Sequence, residues 1–140
     1  MKIVAIAGMA TITKDSKASA ALYRDGLGLP LKDLGGDYIA MGNVDGARHF
    51  GVWPLREAAR SCFGRDSWPS EIPVPMATIE FELADEPSVE AAVEEMKRKG
   101  RKFVHEARRE PWGQTVARFI SPEGLLIGLS YMPSFHEKDG

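Results

Sequence analysis

The sequence predicts an α+β domain in which one strand–helix–strand–strand–strand plan is used twice. Three observations carry this expectation. Two segments have helical periodicity, each follows a segment patterned like a strand, and each is followed by a short strand and a hairpin. A repeat of this length points to duplicated halves that share one site.

The elements can be taken in chain order. Ile3–Thr13 reads as the first strand. Its opening, MKIVAIAGMA, has the lysine, short apolar run and small residues of a secretory leader. Thr11-Ile12-Thr13, however, continues the run at strand-like polarity, and Asp15 then opens a helix reaching about Asp25. That helix turns Ala18, Ala21 and Leu22 inward and stops near Gly26. The first hairpin, YIAMGNVDGARHFGVW, turns at Asp45-Gly46.

Residues 55–75, LREAARSCFGRDSWPSEIPVP, form a long connection. Its first part suits a short helical turn, and Pro69, Pro73 and Pro75 exclude regular structure from the rest. Phe63 and Trp68 fit a lid over a site, and a plain connector fits equally.

The second half starts with a strand over Met76–Ala84, where Ile79, Phe81 and Leu83 alternate with Thr78, Glu80 and Glu82. SVEAAVEEMKRK, 88–99, places Val89, Ala92, Val93 and Met96 on one helical face. Ser88 is its expected cap and Gly100 its end, with Glu94–Arg98 and Glu95–Lys99 as solvent-side pairs. TVARFISPEGLLIGLSY then makes a hairpin whose turn, Ser121-Pro122-Glu123-Gly124, has serine, proline and glycine where a tight turn favours them. Gly128 interrupts the last strand, a usual mark of close approach by another group. The whole chain reads as one domain, with modules 1–54 and 76–132 flanking the connection and a tail at 133–140.

Bulk properties narrow the function classes. Length 140 suits one core, and 18 Lys plus Arg against 20 Asp plus Glu give a net charge of −2. No basic footprint for nucleic acid exists, and no apolar run is long enough for a membrane span. The lone Cys62 can form no internal disulfide, which fits a reducing, cytoplasmic setting. No histidine neighbours it in sequence, so an idle or buried thiol is expected there.

Two stretches carry a family resemblance. Ala21-Leu22-Tyr23-Arg24-Asp25-Gly26-Leu27-Gly28-Leu29-Pro30 is similar to the F-Y-R-D-x-L-G-L-P motif of the vicinal oxygen chelate superfamily. Pro111-Trp112-Gly113-Gln114 through Ser121-Pro122-Glu123-Gly124 resembles its closing run. That superfamily includes glyoxalase I, extradiol dioxygenases, fosfomycin-resistance enzymes and bleomycin-binding proteins. The resemblance implies two βαβββ modules forming curled mixed sheets around a cavity, commonly in a homodimer.

It also implies places for metal ligands: His or Gln on the first strand, a carboxylate on the fourth, His on the fifth, Glu on the eighth. Carried over, these fall on Gly8, near Gly51 with His49 as a neighbour, on Thr78 and on Gly128. None suits a catalytic ion, so no resident metal or cofactor is expected. A rival set would combine His49, Glu80 and Glu82. His105 reads as a surface residue, and His136 lies in a tail that looks frayed.

Alternation assigns the remaining faces. Phe50, Val52, Phe119, Ile127, Leu129 and Tyr131 pack on the helix side. His49, Gly51, Trp53, Thr78, Glu80, Val116, Arg118, Gly128 and Ser130 face the cavity, where three glycines are expected to leave open volume. Trp53 and Trp112 would form aromatic walls, with Arg118, Gln114, Thr78, Glu80, His49 and Ser130 as polar anchors. Glu80 and Arg118 fit a mutually neutralising pair as well as anchors, and Trp112 fits a hairpin clamp as well as a wall. The leading expectation is a metal-free protein binding a small, aromatic or planar molecule. The alternatives are a metal-dependent or acid–base enzyme (lyase, isomerase or dioxygenase) using Glu80 or His49, and a dimeric interaction module. Neither nucleic acid nor membrane is an expected partner.

Overall fold

The computed structural model of the protein describes residues 1–26, 28–42, 46–122 and 124–136. Asp45 and Glu123 of the expected turns, Leu27 of the motif and the end of the tail lie outside the described residues. The strands are β1 (Ile3–Thr13), β2 (Lys32–Asp33), β3 (Ile39–Met41), β4 (His49–Pro54), β5 (Ala77–Leu83), β6 (His105–Arg109), β7 (Thr115–Ile120) and β8 (Leu126–Tyr131). The helices are α1 (Ser16–Ala20), α2 (Leu55–Phe63) and α3 (Pro87–Arg98), and a 3₁₀ turn covers Pro133–His136.

All eight strands join one curled sheet in the order β2-β3-β4-β1-β5-β8-β7-β6. Each half contributes four neighbours, and the antiparallel β1–β5 pair joins them. Within each half the first strand lies parallel to the last, β1 with β4 and β5 with β8. Among the described residues no helix is long and apolar enough to cross a membrane.

Side-chain parity sets the two faces of the sheet. On the outer face, Val89, Ala92 and Val93 of α3 pack on Ala117, Phe119, Ile127 and Leu129. Leu31, Ile39 and Val52 make the matching cluster under α1. The helix carrying that second cluster is not the regular one expected. After Ala20 it widens into one π-helical turn, Ala21–Gly26. The inward face is the one carrying Ser16, Ser19, Ala20 and Tyr23, of which Ala20 and Tyr23 reach the cluster. Ala18 and Ala21 are exposed, and Leu22 is left 53% exposed. The start of α3 also differs: Glu86, not Ser88, is the capping position, and the Asp85 carboxylate just before it accepts from the Ser88 backbone N–H at 2.9 Å.

The concave face has its own cluster, in which Trp53, Ala10 and Leu126 pack under α2 through Ala58 and Cys62. Residues 55–63 are thus a core helix rather than a short turn, ended by Gly64 at φ 73°. Phe63 and Trp68 do not close the cavity. They meet edge to face at 4.9 Å within this cluster, and the Trp68 indole donates to the Ile72 carbonyl at 3.0 Å.

Candidate functional site

The concave face encloses a cavity of about 450 Å³, lined by residues from both halves. One row of the sheet organises it. Register places His49 of β4 beside Gly8 of β1, Gly8 beside Glu80 of β5, and Glu80 beside Gly128 of β8. Gly128 pairs in turn with Arg118 of β7, and Arg118 with His105 of β6. Long side chains thus alternate with glycines across the central strands.

This register corrects the ligand places carried over by counting. Gly51 and Thr78 sit one row further along, both opposite Ala10. His49 and Glu80 are the residues in line with Gly8 and Gly128. It also corrects the expectation of open volume at the glycines. A Cβ at Gly8 would lie 2.8 Å from the His49 Cβ and closer still to its carbonyl oxygen. At Gly51 it would meet the Tyr38 hydroxyl at 2.8 Å, and at Gly128 the Glu80 Cγ at 3.0 Å. The missing side chains make room for neighbours that now fill the space.

Those neighbours form two polar assemblies. In the first, the Tyr38 hydroxyl and His49 Nε2 lie 2.5 Å apart. Burial, then the Glu80 carboxylate, raises the Tyr38 phenol above its ordinary pKa, and burial lowers that of His49. Both shifts favour the neutral forms, a phenol and an uncharged imidazole that share one hydrogen bond.

The second centres on Arg118, whose side chain is 2% exposed. Nη2 donates to Glu80 Oε1 at 3.4 Å, and Nη1 to Ser61 Oγ at 2.8 Å and Glu110 Oε1 at 3.2 Å. The guanidinium also stacks over the Trp53 ring, 5.1 Å from its centroid. Gln114 Nε2 donates to Glu80 Oε2 and to Ser130 Oγ, each at 2.8 Å, while Trp112 Nε1 donates to Gln114 Oε1 at 2.8 Å. Trp112, half exposed, lines the cavity.

Trp53, Trp112, Arg118, Gln114, Thr78, Glu80 and His49 all line the cavity. Ser130 does not; it is fully buried behind Gln114. The rival grouping of His49, Glu80 and Glu82 does not assemble. Glu82 accepts from the Met132 N–H at 2.6 Å and from His136 Nε2 at 2.8 Å. Among the described residues no three His, Cys, Asp or Glu side chains are grouped to hold a metal ion.

His136 is therefore a latch for the closing 3₁₀ turn rather than part of a frayed tail. Met132, Ser134 and Phe135 from that segment line the cavity, and Arg48 donates to the Phe135 carbonyl at 3.1 Å. His105 is likewise no surface residue. Its Nε2 lies 3.1 Å from Arg118 Nη1, and burial, then the Arg118 charge, lowers its pKa to about 4. Burial pushes the Cys62 thiol up to about 11, which removes it as a nucleophile.

The lining residues not anticipated include Tyr38, Glu57, Leu34 and the closing turn. Tyr38 had a usable signal: Ile39 and Met41 belong to the helix side, so strand parity turns Tyr38 to the cavity.

The sequence profile of the Glyoxalase/Bleomycin resistance protein/Dioxygenase superfamily matches residues 5–129. No curated protein matches the chain. Among solved structures, a methylmalonyl-CoA epimerase variant from Streptomyces coelicolor, in complex with 2-nitronate-propionyl-CoA, is 18% identical with a TM-score of 0.60. That match covers 98% of this chain and 100% of the other. A superfamily member from Vibrio splendidus is 14% identical with a TM-score of 0.57, covering 89% and 96%. An NAD-dependent benzaldehyde dehydrogenase from Legionella pneumophila is 10% identical with a TM-score of 0.61, covering 89% and 97%. At these identities the likeness concerns the fold alone.

Proposed function

The chain belongs to the glyoxalase/bleomycin resistance protein/dioxygenase superfamily, and we propose that it binds a small aromatic or planar molecule in its cavity without a metal ion. The observation that carries this reading is the spent state of the His49–Glu80 row. His49 is satisfied by Tyr38, and both Glu80 oxygens have protein donors. A catalytic ion needs about three protein ligands, and the donor set here does not fit one. What remains is a hollow of about 450 Å³ with aromatic walls and few polar groups, the usual make-up of a small-molecule site.

The acid–base alternative has less support. Glu80 is anchored by Arg118 and Gln114, and His49 Nε2 is engaged by the Tyr38 hydroxyl. Trp53, Trp112, Gln114, Thr78 and Tyr38 are the proposed contact residues, with Glu80, His49 and Arg118 as the polar floor.

The test is a titration with uncharged bicyclic aromatics such as 2-naphthalenemethanol, followed by tryptophan fluorescence. Saturable binding is expected, weakened about tenfold by Trp112→Ala, the order of one aromatic contact. No saturable binding by any member of the panel would refute the proposal.

A homodimer is proposed on a separate observation. Ile3, Val4 and Ile6 near the start of β1 stand 46%, 46% and 56% exposed. Sedimentation equilibrium is expected to give twice the chain mass and Ile6→Glu to halve it; a monomeric wild type would end the idea.

A further inference from the structure

We propose that the molecule bound in the cavity is a cation, an aryl or arylalkyl ammonium or amidinium whose charge rests against Glu57. The inference builds on the small-molecule reading above and specifies its ligand class.

It follows from asking which polar groups on the wall still lack a partner. Tyr38 and His49 satisfy each other. Gln114 is used on both sides, by the Trp112 indole, Glu80 and Ser130. Arg118 is shared between Glu80 and Glu110, and Arg108 adds a second cation to Glu110 at 3.2 Å. Two guanidiniums against two carboxylates leave that assembly neutral.

Glu57 stands outside this balance. It comes from the first turn of α2, lines the cavity, and has no hydrogen bond or ion pair among the described residues. Its Oε2 is hidden from solvent without any donor. The arginines beside it in sequence point elsewhere: Arg56 pairs with Asp37 at 3.4 Å and Arg60 with Asp66 at 2.8 Å.

The carboxylate is nevertheless held in place. It lies against the turn at Gly36, φ 59°, where a Cβ would come 3.1 Å from its Oε1. Burial raises its pKa above the ordinary carboxylate value, and the nearby charges of Arg56 and Arg60 offset only part of that. The other unpartnered buried atom on the wall, Arg118 Nε, belongs to a cation already matched twice. An anionic ligand would meet Glu57 and Glu80 with no free positive charge to receive it. A cationic one supplies the missing donor, while its ring lies among Trp53, Trp112, Leu34 and Phe135.

Three probes of one shape separate the possibilities: 2-naphthylmethylamine, 2-naphthalenemethanol and 2-naphthoate, titrated calorimetrically at pH 7 against wild type and Glu57→Gln. The amine is expected to bind at least about tenfold more tightly than the alcohol, the order of one charge-assisted hydrogen bond. The naphthoate should be weakest. Glu57→Gln should erase the amine's advantage over the alcohol. If the alcohol binds as tightly as the amine, or the preference survives Glu57→Gln, the ligand class is wrong while the cavity reading stands. If none of the three binds, both are wrong.

Discussion

Arg118→Met is expected to destabilise the fold by about 3–5 kcal/mol, the cost of leaving buried charge uncompensated. Arg118 and Glu110 are 2% and 5% exposed in their side chains, and Glu80 is 19%. Removing the guanidinium leaves Glu80 without a cation, leaves Glu110 with Arg108 alone, and deprives Ser61 of one of its donors. The methionine keeps most of the packing against Trp53, so the loss should be mainly electrostatic. Adding Glu80→Gln to Arg118→Met should then recover part of it, because the carboxylate left without a cation is gone. Urea denaturation measures both variants. A loss below about 1 kcal/mol for the single variant would mean that the assembly is well solvated and holds nothing together.

Gly8→Ala should be nearly as harmful, by about 3 kcal/mol, at the upper end of overpacking costs. The new methyl would run into the main chain of His49, and β1 lies between β4 and β5 at the junction of the two halves. Relief requires parting two central strands. Gly128→Ala is the control. There the nearest atom is the Cγ of Glu80 at 3.0 Å, a side chain able to shift, so its cost should stay near about 1 kcal/mol. Equal losses at the two positions would show that crowding at Gly8 is not a backbone effect. Gly8→His should fail for the same reason, whatever metal is supplied.

The contrast between these glycines also explains what the sequence could and could not tell. Parity alone found the two faces of the sheet, since Phe119, Ile127 and Leu129 could only pack on a helix if Arg118 and Gly128 faced the hollow. It could not find the row. Counting along single strands placed ligand positions at Gly51 and Thr78, and inter-strand register moved the row to His49 and Glu80. A glycine in a sequence reports a missing side chain; which neighbour takes the space depends on strands distant in the chain.

The same distance hid the histidines. His105 meets an arginine 13 residues away, and His136 a glutamate 54 residues away. Nothing local marked either. Glu57 was invisible for a different reason: between two arginines on an amphipathic helix it reads as a solvated charge, and only the turn at Gly36 closes over it.

The most direct test of metal-free recognition is native mass spectrometry of protein purified from medium rich in zinc, nickel, manganese and iron. The account predicts chains carrying an organic adduct or nothing, with no divalent ion in stoichiometric amount. One such ion retained per chain, and lost on His49→Ala or Glu80→Ala, would contradict it.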